Sequence, residues 1–341
     1  MRIVVDVTPL SHPRTGIGNY MLGMLRGLAD VAGDRHQLVF FGPTGPRNFR
    51  RLRAVLKDVP GERDLSMIPP PTNLWRTLWS RSRHPKVESL TGPFDVFHFS
   101  DWMHPPQRSG VRATTIHDLI PLHHPDWVDR RTRSLHVPKY RNAAETCDLI
   151  FTNSEYTADD VAATLSFPRE RIVVAYPGIH PRFSPDGPRA EGDYVLAVGT
   201  VDPRKNLGRA EEAARLAGVE LRVAGPDGSL GYVNDERLAE LYRGAKALVF
   251  PSLVEGFGIP VVEAMASGTP AVASAHASLD EASGDAAVRV DPESPEAIAE
   301  GITRALDERE ALAERGLRHA ERFTWRACGE AMLRGYETAR G

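Results

Sequence analysis

The sequence predicts an α/β protein with two doubly wound parallel sheets. Short apolar runs alternate with helical patterns through both halves of the chain, which is typical of parallel strands joined by helical crossovers. A length of 341 residues favours about two domains. The stretch 176–193 is rich in proline and glycine and separates the two series of strands, as a linker would.

The composition excludes several classes of protein. With 41% hydrophobic and 26% charged residues, the chain is typical of a soluble globular protein. Asp6 interrupts the apolar start where a signal peptide would continue, and no apolar run approaches the roughly 18 residues of a membrane span. Cys147 and Cys328 lack metal or redox spacing, so we expect buried thiols in a reducing cytoplasm. We expect no nucleic-acid partner.

The first half is predicted to contain six strands. They are Arg2–Val7, Gln37–Gly42, Asp95–Phe99, Arg112–Ile116, Leu149–Thr152 and Arg171–Ala175. A helix is predicted over Asn19–Ala32, so Gly16 and Gly18 lie at a strand-to-helix junction. Backbone N–H groups at such a junction can face an anion, although a tight turn is the alternative.

The segment 43–93 is predicted to be the least regular part of the chain. It contains two basic runs, and Trp75 and Trp79 are four residues apart in the second. Such a stretch can lie on an anionic membrane. Alternatively, the tryptophans pack inside and the arginines point to water.

Polar side chains follow two other strands of this half. His117 and Asp118 come directly after Arg112–Ile116, at the strand end where ligands bind in open α/β sheets. A histidine bonded to backbone is the alternative for His117. Ser154 follows Leu149–Thr152 and is expected to cap the next helix. The other histidines lack a metal-binding spacing, so we expect no metal site.

The second half repeats the alternation of strands and helices. Strands are predicted at Val195–Val198, Glu220–Ala224, Ala247–Phe250, Ala271–Ala273 and Ala287–Val290. Helices are predicted at Leu207–Leu216, Asp235–Tyr242, Glu296–Leu306 and Glu310–Phe323.

Charged residues follow two of these strands. Arg204 and Lys205 come after the first strand, where they can neutralise a leaving diphosphate. Glu255 lies in the loop after Ala247–Phe250, and Glu263 lies in the first turns of the next helix. Carboxylates there can accept hydrogen bonds from vicinal sugar hydroxyls. Solvated surface charges are the alternative for both pairs.

Several motifs together resemble one family. The stretch from Glu255 through Gly256-Phe257-Gly258-Ile259-Pro260 to Glu263 resembles the paired-glutamate motif of the retaining, GT-B-fold glycosyltransferases of family four. Further matches are Thr15-Gly16-Ile17-Gly18, His117-Asp118, Ser154-Glu155 and Arg204-Lys205-Asn206. The likeness extends over almost the whole chain and is nearest to bacterial mannosyltransferases of surface polysaccharide assembly.

The resemblance implies the GT-B fold, in which two Rossmann-like domains enclose a cleft. Residues 1–177 would form the acceptor-binding domain, and residues 178–325 would form the nucleotide-sugar-binding domain. The terminal helix, 326–341, would cross back to the first domain.

The resemblance also implies roles for individual residues. The expected catalytic residues are His117, Arg204, Lys205 and Glu255. The expected donor-binding residues are Gly16, Gly18, Arg204, Lys205, Glu255, Gly256, Phe257, Gly258 and Glu263. The expected acceptor-side residues are Asn19, Asp118 and Ser154. No cofactor and no divalent metal is expected, because protein cations would neutralise the diphosphate.

The function expected from the resemblance is retaining, metal-independent hexose transfer from a nucleotide-diphosphate sugar. Mannose is the favoured sugar, with GDP-mannose ahead of UDP-glucose as donor, and the acceptor would be a saccharide, a lipid-linked or a small molecule. We expect a cytoplasmic enzyme, with peripheral contact at the inner face of the plasma membrane. Two alternatives are a nucleotide-sugar 2-epimerase, which releases sugar without an acceptor product, and a non-catalytic partner subunit, which would have lost a charged site residue.

Overall fold

The computed structural model describes residues 1–12, 16–57, 59, 64–67, 72–82, 84–100 and 103–341. Within these ranges the chain divides into two compact units. Unit 1 is Met1–Gly178 together with Thr324–Gly341, and unit 2 is Ile179–Phe323. The sequence division placed these boundaries after residues 177 and 325.

Each unit contains one parallel sheet. The strands of the described chain are β1 (Arg2–Asp6), β2 (Gln37–Gly42), β3 (Asp64–Met67), β4 (Val96–Phe99), β5 (Val111–Ile116), β6 (Leu149–Thr152), β7 (Ile172–Val174), β8 (Tyr194–Val198), β9 (Glu220–Ala224), β10 (Leu248–Phe250), β11 (Ala271–Ser274) and β12 (Val288–Val290). Unit 1 has the order β3-β2-β1-β4-β5-β6-β7, and unit 2 has the order β12-β11-β10-β8-β9. The chain therefore reverses its progress across each sheet, between β1 and β4 and between β8 and β10. Ligands bind at the carboxyl ends of the strands at such reversals.

Helices connect most successive strands of the two parallel sheets, which confirms the predicted fold class. The helices of the described chain are α1 (Gly16–Ala32), α2 (Pro46–Leu56), α3 (Thr72–Arg81), α4 (Glu88–Thr91), α5 (Ile120–His123), α6 (Arg130–Thr146), α7 (Glu155–Leu165), α8 (Leu207–Leu216), α9 (Asp235–Gly244), α10 (Ile259–Ala266), α11 (Asp280–Ser283), α12 (Pro295–Asp307), α13 (Arg309–Ala320) and α14 (Trp325–Arg340). No helix of the described residues is long and apolar enough to cross a bilayer.

Helix α14 follows unit 2 in the chain but packs in unit 1, against α1. Glycines permit this close contact: a Cβ on Gly27 would lie 1.7 Å from the carbonyl oxygen of Trp325, and one on Gly329 would lie 2.3 Å from Gly27. Met332 and Tyr336 are fully buried in the core that α14 shares with α1 and the sheet.

Segment 43–93, predicted to be the least regular part of the chain, contains helices and a strand among its described residues. The described part of this segment contains α2, β3, α3 and α4. Leu52 and Leu56 on α2 are buried, so the apolar spacing of a helix was present but hidden among arginines. On α3, Trp75 and Trp79 are only 7% and 8% exposed, so the tryptophans pack inside and do not reach a membrane.

Helix α1 begins at Gly16, three residues earlier than predicted. Gly16 and Gly18 therefore lie in its first turn and not in a loop before it. The prediction started the helix late because glycine has a low helix propensity. The preceding Thr15 lies outside the described residues.

Candidate active site

The loops after β8 and β10 meet at the strand reversal of unit 2. The Leu253 N–H donates to the carbonyl oxygen of Arg204 over 2.8 Å, which joins the two loops directly. The sequence analysis placed Arg204 and Lys205 in the first of these loops and Glu255 in the second. The sheet order brings both motifs to the edge where α/β proteins bind ligands.

The loop after β8 is fixed by local hydrogen bonds. Asp202 caps the 3₁₀ turn Pro203–Lys205 by accepting from the Arg204 N–H at 2.9 Å. Asn206 then adopts a left-handed conformation with φ of 57°. Its buried amide donates to the carbonyl oxygens of Pro251 and Pro292, at 3.0 and 2.6 Å. Asn206 thus ties the loops after β8, β10 and β12 together.

Arg204, Lys205 and Glu255 form one contact group. Arg204 Nη1 lies 2.5 Å from Glu255 Oε2, and Lys205 Nζ lies 2.5 Å from Glu255 Oε1. The three side chains are 19%, 12% and 9% exposed. The Lys205 ammonium also lies 4.8 Å from the centroid of the Phe250 ring. Because both oxygens of Glu255 are engaged, this carboxylate positions the two cations.

The charges of this group depend on one another. Burial raises the pKa of Glu255, but the charges of Lys205 and Arg204 outweigh burial and hold that pKa below its usual value. Burial lowers the pKa of Lys205, although Glu255 opposes the shift. Asp202 Oδ2 lies 3.5 Å from Arg204 Nε. The arrangement holds two cations, little hydrated, at the ligand-binding edge of the sheet.

The loop after β10 brings backbone to the same edge. Gly258 has φ of 102°, and a Cβ on it would lie 2.3 Å from Leu279 Cδ2, so only glycine fits at this start of α10. The Glu255 N–H donates to Ser278 Oγ at 3.0 Å. The Phe257 ring is 2% exposed and packs edge-on against Phe323. A donor contact predicted for Phe257 would therefore involve its backbone.

Glu263 lies on α10 and has a different environment. The Tyr242 hydroxyl donates to Glu263 Oε2 at 3.1 Å. Burial raises the pKa of Glu263 to about 7, and the hydrogen bond from Tyr242 offsets only part of that rise. The sequence analysis gave Tyr242 no role. Its position at the end of a predicted helix did not indicate a contact with Glu263.

The remaining predicted site residues lie in unit 1. The His117 ring packs edge-on against Tyr20, with centroids 4.7 Å apart, which brings the start of α1 beside the end of β5. Gly16 and Asn19 are exposed in the first turn of α1, whereas Gly18 is buried.

Asp118 and Ser154 both bond to nearby backbone. Asp118 Oδ1 accepts from the Ile120 N–H at 3.0 Å. Ser154 is fully buried and caps α7 by accepting from the Thr157 N–H at 3.0 Å, which confirms the predicted cap. An acceptor-side role of Asp118 and Ser154 stays a prediction.

Across the described part of the chain, no three side chains of histidine, cysteine, aspartate or glutamate gather as a metal site would require.

Two protein-family models match the chain. The model described as Glycosyltransferase Family 4 matches residues 14–183, and the model described as Glycosyl transferases group 1 matches residues 228–320. The first match covers α1 and the strands of unit 1 from β2 to β7. The second covers Glu255 and Glu263.

Two curated relatives match the chain almost end to end. O-antigen chain mannosyltransferase B of Escherichia coli is 29% identical, over 99% of this chain and 100% of that protein. MMP alpha-(1->4)-mannosyltransferase of Mycolicibacterium hassiacum is 28% identical, over 95% of each chain.

Solved structures share the fold. Anabaena Alr3699/HepE in complex with UDP-glucose has a TM-score of 0.69 at 13% identity, over 99% of this chain and 100% of that chain. Sucrose-phosphate synthase from Thermosynechococcus elongatus has a TM-score of 0.65 at 16% identity, over 99% of this chain and 98% of that chain. These similarities show the two Rossmann-like domains of the GT-B glycosyltransferases.

Proposed function

The chain belongs to the family-four glycosyltransferases, and on that premise we propose that it transfers a hexose from a nucleotide-diphosphate sugar with retention and without a metal ion. The donor would bind mainly to unit 2 and the acceptor mainly to unit 1. Mannose is the favoured sugar, and the acceptor is a saccharide, a lipid-linked or a small molecule.

The observation that carries this proposal is the contact group of Arg204, Lys205 and Glu255. In transfer from a nucleotide sugar, negative charge develops on the departing diphosphate. Two cations fixed by one carboxylate stabilise that charge without rearranging during the reaction. In this proposal they supply the charge that a divalent ion would otherwise supply.

The reaction follows from this placement of charge. The bond between the anomeric carbon and the diphosphate oxygen breaks, and the acceptor oxygen bonds to that carbon on the same face. The acceptor proton passes to the leaving phosphate oxygen. Glu255 is not assigned as a covalent nucleophile, because both of its oxygens bind cations. Glu263 would accept hydrogen bonds from the ribose hydroxyls, and His117 would bond the sugar.

The preference for GDP-mannose rests on the relatives. Two proteins that match almost end to end are named mannosyltransferases. A solved structure of the same fold contains UDP-glucose, which makes that donor the second candidate.

A thermal-shift screen tests the proposed function. UDP, GDP, ADP and dTDP are each added with EDTA, and we expect GDP to stabilise the protein most. At 100 times its dissociation constant, a ligand adds about 2.7 kcal/mol to the free energy of unfolding.

A transfer assay tests the chemistry: GDP-mannose is supplied in EDTA, and NMR determines the anomeric configuration of the product. An inverted product, a requirement for metal or stabilisation by none of the nucleotides would contradict the proposal.

We also propose that the enzyme works in the cytoplasm with peripheral contact at the membrane. Helix α3 exposes Leu74 and Leu78, which are 54% and 42% exposed and lie one turn apart, beside the exposed Arg76 and Arg81. Apolar and cationic side chains together suit an anionic lipid surface. We expect co-sedimentation with phosphatidylglycerol vesicles to fall several-fold when both leucines become serine. Equal binding of the two proteins would contradict this contact.

A further inference from the structure

A cavity of about 580 Å³ lies where β5 and β6 begin in unit 1. Its wall includes Arg112 on β5, Asp148 directly before β6, Lys86 before α4 and Arg108 before β5. The volume is within the range of ligand-binding pockets. Because His117 follows the other end of β5, five residues after Arg112, that end lies roughly 16 Å along the strand. The cavity is therefore separate from the predicted acceptor-side residues.

Arg112 presents a buried guanidinium group to this cavity. Its side chain is 6% exposed, and burial lowers its pKa. It donates to four neutral oxygens, which are Thr146 Oγ1 at 3.0 Å, the carbonyl oxygen of Pro105 at 2.7 Å, Gln107 Oε1 at 3.1 Å and Asn142 Oδ1 at 3.2 Å. A guanidinium group has five N–H donors, so at least one remains for a ligand.

The wall of the cavity carries more positive than negative charge. Lys86, Arg108 and Arg112 line it, and none of the three forms an ion pair with any residue that the structure describes. Two carboxylates, Glu145 and Asp148, also line it, and Asp148 Oδ2 accepts from the backbone N–H of Arg112 at 2.8 Å. Cationic side chains that the fold leaves without a carboxylate can donate to a bound anion.

Helix α3 connects this cavity with the exposed surface. Trp79 of this helix lines the cavity, and it also lines a smaller one of about 240 Å³ that reaches Arg76. Arg76 is exposed, as are Leu74 and Leu78, for which we propose lipid contact. An anion in the cavity would therefore lie beside the helix that we expect at the membrane surface.

We propose that Lys86, Arg108 and Arg112 bind the phosphate group of a phosphate ester in this cavity. Arginine supplies paired planar donors and lysine supplies a compact charge, and both suit phosphate oxygens. The position beside α3 favours the headgroup of an anionic lipid, and a soluble phosphate ester has the same chemistry. This site goes beyond the proposed transfer reaction and takes no part in it.

Two kinds of probe distinguish these sources. Calorimetry compares glycerol 3-phosphate with glycerol, and co-sedimentation compares phosphatidylglycerol with phosphatidylcholine vesicles. We expect glycerol 3-phosphate to bind at least ten-fold more tightly than glycerol. Saturating GDP should leave that affinity unchanged, because the proposed donor site is in unit 2. Displacement of glycerol 3-phosphate by GDP would overturn the inference.

Matched variants separate the cavity from general surface charge. Lys86→Ala and Arg108→Ala should each weaken binding of glycerol 3-phosphate about ten-fold. Lys57→Ala and Arg141→Ala remove exposed cations of unit 1 that do not line the cavity, and they should change binding less than about two-fold. Glu145→Gln removes a negative charge from the wall and should strengthen binding about two-fold. Tighter binding is not expected from a variant that only disturbs the fold.

The pattern across the two probes decides the outcome. Arg112 is left unchanged, because its hydrogen bonds join the start of β5 to the end of α6. A several-fold loss of vesicle binding in Lys86→Ala and Arg108→Ala indicates a lipid headgroup, whereas a loss limited to glycerol 3-phosphate indicates a soluble ligand. Equal losses in the cavity and control variants, or no loss with either probe, would overturn the inference. Absence of nucleotide binding would instead refute the proposed function alone, since these measurements need no donor.

Discussion

Replacing Arg204 with alanine is expected to lower turnover by about 10²–10³-fold, because one of the two cations that we propose to stabilise the leaving diphosphate is lost. Lys205 still pairs with Glu255 in this variant, so the carboxylate keeps one partner and the fold survives. Rapid-quench measurement of nucleoside diphosphate release under saturating donor isolates this step. Arg204→Lys keeps the positive charge but loses the paired N–H donors of the guanidinium group. Its turnover should therefore lie between that of the unchanged protein and that of Arg204→Ala.

Arg222 provides the control for Arg204. It pairs with Glu220 on β9 and covers the ring of Tyr194, so it is also a partly buried, ion-paired arginine of unit 2. Arg222→Ala should lower the free energy of unfolding at least as much as Arg204→Ala while leaving turnover unchanged. Similar turnover in the two variants would remove Arg204 from the catalytic machinery.

Donor affinity is expected to fall about ten-fold when the pH is lowered from 8 to 6, because Glu263 becomes protonated over this range. Its pKa of about 7 in the free protein lies above the usual glutamate value, so the carboxyl is mostly protonated at pH 6 and mostly ionised at pH 8. In the ribose contact that we propose for Glu263, only the ionised carboxylate can accept hydrogen bonds from both hydroxyls. A sugar nucleotide is the ligand to use, because both of its phosphates are esterified and do not titrate in this range.

Two substitutions identify the titrating group. Glu263→Gln should bind the donor weakly at both pH values, with the ten-fold dependence gone. Tyr242→Phe removes the hydrogen bond that holds the Glu263 pKa down, so the midpoint should move to higher pH. A pH dependence that persists in Glu263→Gln would assign it to another group and contradict the ribose contact.

Strand positions were predictable because most strands are short, largely apolar runs bounded by turn residues. Gln37–Gly42, Leu149–Thr152 and Glu220–Ala224 have the predicted bounds. Strand β3 was missed because Asp64 and Ser66 interrupt its apolar pattern. Its pairing with β2 joins residues about 25 positions apart and cannot be predicted from the local sequence.

The candidate site was predictable as far as strand order allowed. Arg204 and Glu255 are 51 residues apart, and the rule that ligands bind at strand ends placed them at one edge. The rule did not reveal that they touch or that Glu255 holds both cations. Asn206 carried a usable signal, since asparagine tolerates the left-handed conformation directly before a helix.

The placement of α14 has a consequence for how the protein is made. Unit 2 is continuous from Ile179 to Phe323, so all of it has been translated before α14. The core of unit 1 cannot be completed earlier, because Met332 and Tyr336 of that core are translated only after the whole of unit 2. A premature stop codon just after Phe323 would therefore damage the part of the protein synthesised first and spare the part synthesised later.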